Sequence, residues 1–149
     1  MGLALIDTNI LIDFFGKVHE AAREFDYYTD LAISNITYME FVVGLRQRRG
    51  AGSLSEVELE RTVLALKQVR IVPIDAAISE RAIDVRSNSL LSRGKGIKLP
   101  DAIIFATAIE TGRYLVTRDA RGFTGPNVRT PYQISLAGIV FNVAGPPPG

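Results

Sequence analysis

The sequence predicts an α/β fold in which helices cover both faces of a central, mostly parallel sheet. Three observations support this prediction. Short, continuous apolar runs such as LALI near the start are typical of strands buried on both faces. Helical patterns separate these runs, so that strands and helices alternate along the chain. The length of 149 residues fits one domain with a sizeable core.

Apolar runs, turn residues and capping residues place the elements in order. The predicted strands cover residues 3–6, 31–34, 70–74 and 114–116, with a weaker edge strand at 127–130. The predicted helices cover residues 7–16, 18–28, 36–48, 54–68, 76–91 and 100–112. Ser34 or Asn35 is expected to cap the third helix. Ser53 and Glu56 have the spacing of a capping box on the fourth, and Asp75 is expected to cap the fifth.

The composition excludes several classes of site. The chain has no Cys and one His, which rules out disulfide scaffolds, thiolate chemistry, Cys-ligated zinc and paired-His catalysis. A metal would have to be a hard cation held by oxygens. The net charge of +1 gives no global sign of a polyanionic partner. No segment has the pattern of a signal peptide or a membrane span, so we expect a cytoplasmic protein without a membrane partner.

Four acidic residues occupy positions unlike those of the other acids. Asp7 and Asp119 directly follow predicted strands, at the edge of the sheet where α/β proteins form their sites. Glu40 shares a predicted helical stripe with Ile36, and Asp101 lies on the apolar face of the last helix. Each acid also has a structural interpretation. Asp7 would cap a helix, and Glu40 would lie at a helix edge with its carboxylate in water. Asp101 would interact favourably with the helix dipole, and Asp119 would form a turn.

Together the four acids predict a metal site. Carboxylates that converge in a partly buried pocket repel one another, and a divalent cation removes that repulsion. Ligation by oxygens alone, with open coordination positions, suits Mg²⁺ or Mn²⁺. Such a metal can activate water and stabilise the charge that develops on a phosphoryl group.

Basic residues cluster near these acids along the sequence. A basic rim of this kind would bind the phosphates of a nucleic acid, although each cluster alone fits a solvated surface better. The candidate nucleic-acid contacts are Arg46, Arg48, Arg49, Arg93, Lys95, Lys98, Arg118 and Arg121.

Four blocks of the sequence resemble the PIN domain, and specifically VapC-like toxins of type II toxin–antitoxin pairs. They are LIDTNILID at the start, ITYMEFVVGL near residue 40, KLPDAIIFATAIETG near 100 and YLVTRDARGF near 120. The resemblance extends to about residue 132. It implies a three-layer α/β/α sandwich with a PIN-like nuclease domain over residues 1–132. Residues 133–149 would then form a C-terminal extension and Pro-rich tail of the same domain.

The resemblance also implies an activity, a cofactor and partners. The chain would be a Mg²⁺-dependent endoribonuclease, with RNA as substrate, a cognate antitoxin as inhibitor and a second copy as homodimer partner. Asn9 matches a family residue that orients the first acid, and Thr8 and Thr117 match small hydroxyl residues that position a water or a carboxylate. The catalytic and metal-binding acids of the family map onto Asp7, Glu40, Asp101 and Asp119.

One position departs from the family pattern. Many relatives carry Asn where this chain has Asp119, and Asp three residues later, but residue 122 is Gly here. Asp119 must therefore supply the fourth acid alone, either as a direct ligand or by holding a water.

Two other functions remain as alternatives. One is a PIN-like module that binds RNA without cutting it, against which the intact acids argue. The other is an α/β phosphatase or receiver-type protein that uses Asp7 as a phospho-acceptor, which needs a different pattern of acids and lysines.

Overall fold

The computed structural model describes residues 2–93, 96–119 and 121–148. Its centre is a parallel sheet made of β1 (Leu3–Ile6), β2 (Asp30–Ser34), β3 (Arg70–Val72), β4 (Tyr114–Val116) and β5 (Val128–Arg129). The strand order is β3-β2-β1-β4-β5. The direction of winding reverses between β1 and β4, so the crevice at which α/β sheets bind ligands lies beyond the ends of these two strands.

Helices pack on both faces of this sheet. The first four contribute to one apolar cluster, and the last two contribute to the clusters on the opposite face. This arrangement is the predicted three-layer α/β/α sandwich. The helices are α1 (Thr8–Phe15), α2 (His19–Phe25), α3 (Asn35–Gly50), α4 (Glu56–Leu66), α5 (Ala76–Arg93) and α6 (Leu99–Glu110).

The central strand shows why the two faces are both apolar. Side chains of a strand alternate between the faces of its sheet. Ala4 and Ile6 belong to the cluster under α1–α4, whereas Leu5 belongs to a cluster under α6. All three are fully buried. Burial on both faces of the sheet therefore explains the continuous apolar run from which a doubly covered strand was predicted.

Helix caps follow the predictions except at α4. Ser55 caps α4, and Glu58 completes the box by accepting the N–H of Ser55 at 2.9 Å. The predicted box of Ser53 with Glu56 is wrong, because the Ser53 hydroxyl donates to the carbonyl of Arg48 at the end of α3. The helix therefore begins two residues later than the spacing suggested. The predicted caps at Asp7, Ser34 and Asp75 are all present.

The C-terminal segment adds a small antiparallel pair, β6 (Gln133–Ile134) and β7 (Val140–Phe141), which the sequence did not predict. The following tail is bonded to the domain. The N–H of Ala144 donates to the carbonyl of Pro131, and the Arg129 guanidinium donates to the carbonyl of Gly145 at 2.7 Å. Within the described ranges, no helix combines the length and apolar character that crossing a bilayer requires.

Candidate active site

Asp7 lies at the end of β1, beside the crevice of the sheet, and is only 5% exposed. Its Oδ1 accepts the backbone N–H of Thr8 at 2.7 Å, which caps α1. Its Oδ2 accepts the hydroxyl of Thr117 at 2.6 Å and the side-chain amide of Asn9 at 3.1 Å. These three bonds fix the orientation of the carboxylate.

The residues that hold Asp7 are also bonded to one another. Thr117 Oγ1 accepts the N–H of Asp119 at 3.0 Å, and Asn9 Oδ1 accepts the N–H of Arg118 at 3.1 Å. The turn after β4 is therefore joined to the start of α1. The Thr8 hydroxyl instead donates to the hydroxyl of Thr37 on α3, at 3.3 Å.

Asp119 is exposed and stabilises the turn that carries it. Its Oδ1 accepts the N–H groups of Arg121 and Gly122, each at 3.0 Å. A Cβ atom on residue 122 would lie 2.7 Å from Asp119 Oδ2. Glycine at this position is therefore what allows the Asp119 carboxylate to occupy its place.

Asp101 lies half-buried in the first turn of α6. The neighbouring residues Ile104 and Ala108 are almost completely buried, as the predicted apolar face requires. Asp101 therefore shares a helix face with these buried residues, and its position in the first turn gives it a favourable interaction with the helix dipole.

Glu40 is placed differently from its prediction. The buried stripe of α3 consists of Thr37, Phe41 and Leu45. Ile36 packs against the cluster under α6 as its stripe predicts, but Glu40 is exposed, so the predicted inward position of Glu40 is wrong. The large side chains Phe41 and Leu45 pack into the core and thereby set the rotation of the helix. Glu40 lies at the helix edge, exposed, on the rim of a groove.

The four acids influence one another electrostatically. Burial raises the pKa of Asp7 above its ordinary value, and the charges of Asp101 and Asp119 raise it further. Partial desolvation and then the charges of Asp101 and Asp7 raise the pKa of Glu40. The pKa of Asp101 is also raised, by desolvation and by Asp119, with Lys98 acting in the opposite direction. Their negative charges therefore share one region.

This region fits a hydrated cation. Among the described residues, no ion pair includes any of the four acids. In the same part of the chain, no three His, Cys, Asp or Glu side chains come close enough to enclose a metal. Mg²⁺ does not require such a cage, because it is usually held by one or two carboxylates and several waters. Oxygen donors with uncompensated charge suit Mg²⁺ chemically, whereas they do not suit a metal that needs a complete protein cage.

The predicted basic residues differ in their surroundings. Arg46 and Arg48 are exposed near the end of α3, and Arg49 pairs with Glu56 at 2.9 Å. Lys98 and Arg121 are exposed beside the acids in sequence. Lys95 lies outside the described residues, and Arg93 is described only as the last residue of α5.

Arg118 has a partner that its prediction as a nucleic-acid contact did not anticipate. Its guanidinium donates to Asp13 on α1, from Nε at 2.6 Å and from Nη2 at 3.2 Å. Asp13 also accepts the hydroxyl of Tyr132 at 2.9 Å. Neither Asp13 nor Tyr132 is among the residues predicted from the sequence. The available signal was an acid on a short, strongly apolar helix, where a charged side chain requires a partner.

A groove of about 740 Å³ extends from the rim of the site between α1, α3 and α4. Apolar side chains, including Ile12, Phe15 and Phe41, contribute to its lining. Glu40 and Arg48 also line it. The groove therefore combines an apolar surface with charged groups of both signs.

Comparisons with known proteins agree with this architecture. The PIN domain family model matches residues 4–124. A chain in a toxin–antitoxin complex from Klebsiella pneumoniae is 39% identical, with a TM-score of 0.74, and the match covers 88% of this chain and 99% of that one. For FitAcB from Neisseria gonorrhoeae the identity is 25%, the TM-score 0.62, and the coverage 81% and 90%.

A more distant likeness supports the fold alone. VapBC2 from Rickettsia felis, bound to a DNA fragment from its promoter, is 21% identical with a TM-score of 0.69, over 85% of this chain and 95% of that one. No curated protein matches the sequence.

Proposed function

Because the chain belongs to the PIN domain family, we propose that it is a Mg²⁺-dependent endoribonuclease and the toxin of a toxin–antitoxin pair. The membership confirms the resemblance drawn from four sequence blocks. It also removes the receiver-type alternative. The observation that carries the proposal is the burial of Asp7 without a charged partner: it is 5% exposed, its described hydrogen bonds come from uncharged groups, and no described ion pair includes it. The raised pKa values of Asp7, Glu40 and Asp101, to which neighbouring acids contribute, agree with this observation.

Each acid has a distinct part in the proposed mechanism. Asp7, oriented by the Thr117 hydroxyl, and Asp101 would be the direct ligands. Glu40 and Asp119 would hold waters at the edge of the site. When bound, Mg²⁺ supplies an activated water and stabilises the charge on the phosphoryl oxygens.

Exposed cations are the proposed RNA contacts. Lys98 and Arg121 lie beside the acids in sequence, and Arg46 and Arg48 lie near the end of α3. Cations at such positions attract phosphates without reading the base sequence. They would hold the RNA backbone while the acids act on one phosphodiester bond.

The test is cleavage of a structured RNA by the purified chain in EDTA, Mg²⁺ and Mn²⁺. We expect no cleavage in EDTA and full cleavage when either metal is restored. An Asp101→Asn protein purified in parallel reports contaminating nuclease. Cleavage by the wild type that persists in EDTA would contradict the metal mechanism. Binding without cleavage under every condition would favour the non-cleaving RNA module.

The groove between α1, α3 and α4 is the proposed surface for the antitoxin. A segment of the antitoxin would cover the apolar lining and bring an Arg or Lys to the acids near Glu40, where charge-assisted hydrogen bonds replace the metal. Such a segment is disordered alone and folds on binding. Inhibition would then occur by occupation of the site.

Co-expression with the neighbouring antitoxin frame tests this arrangement. We expect a tight, inactive complex, and we expect removal of the antitoxin's C-terminal segment to restore cleavage. An antitoxin without that segment that still inhibits completely would instead indicate steric exclusion of RNA.

A homodimer is the proposed assembly of the isolated toxin. On α5, Ile83, Leu90 and Leu91 are exposed, Leu91 to 87%. A second copy would remove these apolar side chains from water. Light scattering of the purified chain should give twice the monomer mass, and Leu91→Asp should give the monomer mass. A wild-type monomer at micromolar concentration would contradict the proposal.

A further inference from the structure

Residue 118 is attached to α1 at two points. Its backbone N–H donates to Asn9 Oδ1, and its guanidinium binds both carboxylate oxygens of Asp13. Asn9 and Asp13 are four residues apart and therefore lie on the same face of the helix. A bidentate guanidinium–carboxylate pair fixes orientation as well as distance. The turn after β4 is thereby held against one face of α1.

Tyr132 joins this network from a third part of the chain. It is fully buried, and its hydroxyl donates to Asp13 Oδ2 at 2.9 Å. Burial and the bond to Asp13 raise the pKa of Tyr132 far above its ordinary value, so the hydroxyl remains a donor. Asp13 therefore accepts three bonds in a buried setting, where satisfied polar networks are rigid. We call Asp13, Arg118 and Tyr132 the Asp13 network.

The anchored residue lies between two residues of the site. Thr117 donates its hydroxyl to Asp7, and the N–H of Asp119 donates to the Thr117 oxygen. A shift of residue 118 must move both of its neighbours, because the three share one short stretch of backbone. The positions of the Thr117 hydroxyl and the Asp119 carboxylate thus depend on the contact between Arg118 and α1.

We propose that the Asp13 network positions the metal site, by holding the turn at 117–119 against α1. The inference rests on the proposed function, since it assigns the network to the same site. Arg118 then acts through the protein and does not contact RNA. Its Nε and Nη2 atoms are already bonded to Asp13, and its side chain is 28% exposed. It is a positioning residue, as are its two partners.

The experiment measures Mn²⁺ binding to the RNA-free chain by calorimetry. Arg118→Lys keeps the charge but loses the bidentate geometry, and Tyr132→Phe removes one hydroxyl. We expect about tenfold weaker Mn²⁺ binding for Arg118→Lys, the lower end of the range for residues that orient metal ligands, and a smaller loss for Tyr132→Phe. Asp13→Asn should resemble Arg118→Lys.

A second triad in the chain provides a matched control. Glu24 is buried and accepts bonds from the hydroxyl of Tyr28 and the guanidinium of Arg129. Tyr28→Phe therefore removes the same hydroxyl from the same kind of network, but the side chains of this network make no described hydrogen bond to α1 or to the turn at 117–119. Its Mn²⁺ affinity should equal that of the wild type.

Two readouts separate positioning from RNA contact. RNA affinity measured in EDTA should remain within twofold of the wild type for Arg118→Lys and Tyr132→Phe. Amide exchange measured by NMR should accelerate at Arg118 and Asp119 in both variants and remain unchanged in Tyr28→Phe. The exchange measurement needs neither metal nor activity.

The outcomes are distinguishable. Folded Arg118→Lys and Tyr132→Phe proteins with wild-type Mn²⁺ affinity and wild-type amide exchange would overturn the inference. Wild-type protein that binds no Mn²⁺ would overturn the proposed function, and amide exchange would then decide whether the Asp13 network holds the turn. If Asp13→Asn does not fold, the other two variants decide the result.

Discussion

Three acids in this chain are buried to a similar extent but have different partners. Asp7, Asp13 and Glu24 are 5%, 7% and 2% exposed. Asp13 and Glu24 each accept bonds from an arginine and a tyrosine. The described partners of Asp7 are an amide N–H, a hydroxyl and a side-chain amide, all uncharged. Burial alone therefore does not distinguish Asp7, the proposed metal ligand, from the other two acids, whereas the lack of a charged partner among its described bonds does.

The energetic reason lies in desolvation. A buried carboxylate is costly unless a cation and hydrogen bonds offset the loss of water. The two acid–arginine networks meet that requirement within the fold. At Asp7 the requirement is unmet, and a bound cation would meet it. Each of the following experiments tests one side of this contrast.

The largest effect is expected from removing the uncompensated charge. Asp7→Asn and Asp101→Asn should each lower RNA cleavage at least ~100-fold. The free energy of unfolding in EDTA should stay equal or rise, because repulsion is relieved and Asn caps a helix as well as Asp does. Cleavage rates and denaturant titrations measure the two quantities. Full activity in either purified variant would contradict the proposed metal-dependent mechanism.

Removing an acid that is paired with an arginine should lower the free energy of unfolding and leave RNA cleavage unchanged. Glu24→Gln leaves Arg129 poorly paired in a mostly buried position, which should lower the free energy of unfolding by about 3 kcal/mol. Cleavage per folded molecule should not change. Glu56→Gln is the matched control, since it breaks an exposed pair with Arg49 that is worth about 0–1 kcal/mol. Equal losses in both variants would contradict the distinction.

The contrast between paired and unpaired charges also applies to the basic residues. Arg46→Gln with Arg48→Gln removes two exposed charges on α3, and it should weaken RNA binding and flatten its salt dependence. On single-stranded RNA, the slope of log affinity against log salt should fall by roughly 0.7 for each phosphate that the variant no longer neutralises. Filter binding in EDTA at several salt concentrations gives the slope. An unchanged slope would indicate that these residues belong to an ordinary solvated surface and do not bind RNA phosphates.

A smaller effect is expected from crowding Asp119. Gly122→Ala places a Cβ within 2.7 Å of Asp119 Oδ2, so the carboxylate must move. We expect a loss of about tenfold in Mn²⁺ affinity, comparable to the loss of a residue that orients a ligand. Gly50→Ala, which meets no atom within 4 Å on α3, is the control. Wild-type affinity in Gly122→Ala would exclude Asp119 from the site.

The smallest effect concerns pH. The folded-state pKa values of Asp7, Glu40 and Asp101 lie above their ordinary values of 3.8 to 4.5. The folded state therefore retains protons that the unfolded state has lost, and stability contributed by these groups falls as pH rises through their raised pKa values. The pKa shifts of other groups, such as Asp30, are shared by the wild type and a variant, so they cancel when the stabilities of the two proteins are compared.

In EDTA, the stability of Asp7→Asn relative to the wild type should thus increase from pH 4 to pH 7, by about 1 kcal/mol for each unit of pKa shift removed. Mg²⁺ should reduce this difference by binding only the folded wild type. Denaturant titrations at each pH measure it. A difference that is constant with pH would show that Asp7 is not destabilising when charged.

Local patterns were sufficient to predict most of the fold. Apolar runs identified the parallel strands, and the rule that α/β sites lie beyond strand ends indicated Asp7 and Asp119 as candidates. Local patterns failed where distant packing decides the outcome. Thr37, Phe41 and Leu45 have the spacing of one helix face, and so do Ile36 and Glu40, so packing of Phe41 and Leu45 in the core decides which face of α3 is buried. The hairpin of β6 and β7 is too short to produce a strand signal.

The Asp13 network was not predictable for a related reason. Its bonds join residues that are 105 and 119 positions apart in the chain. An acid on an apolar helix indicates that a partner must exist, but it does not indicate which one. The sequence predicts Arg118 as a nucleic-acid contact because Arg118 and Arg121 flank the acid Asp119, whereas in the structure its guanidinium binds Asp13 on α1.

The hydrogen bond from Thr117 to Asp7 spans 110 positions of the chain. Translation releases β1 before β4, so Asp7 is made 110 positions ahead of Thr117. A nascent chain therefore carries Asp7 without the turn that orients it until those positions have been translated. We expect polypeptides that end before Thr117 to be inactive, because they lack that turn. For an enzyme proposed to cut RNA, this order of assembly delays activity until the turn after β4 has been made.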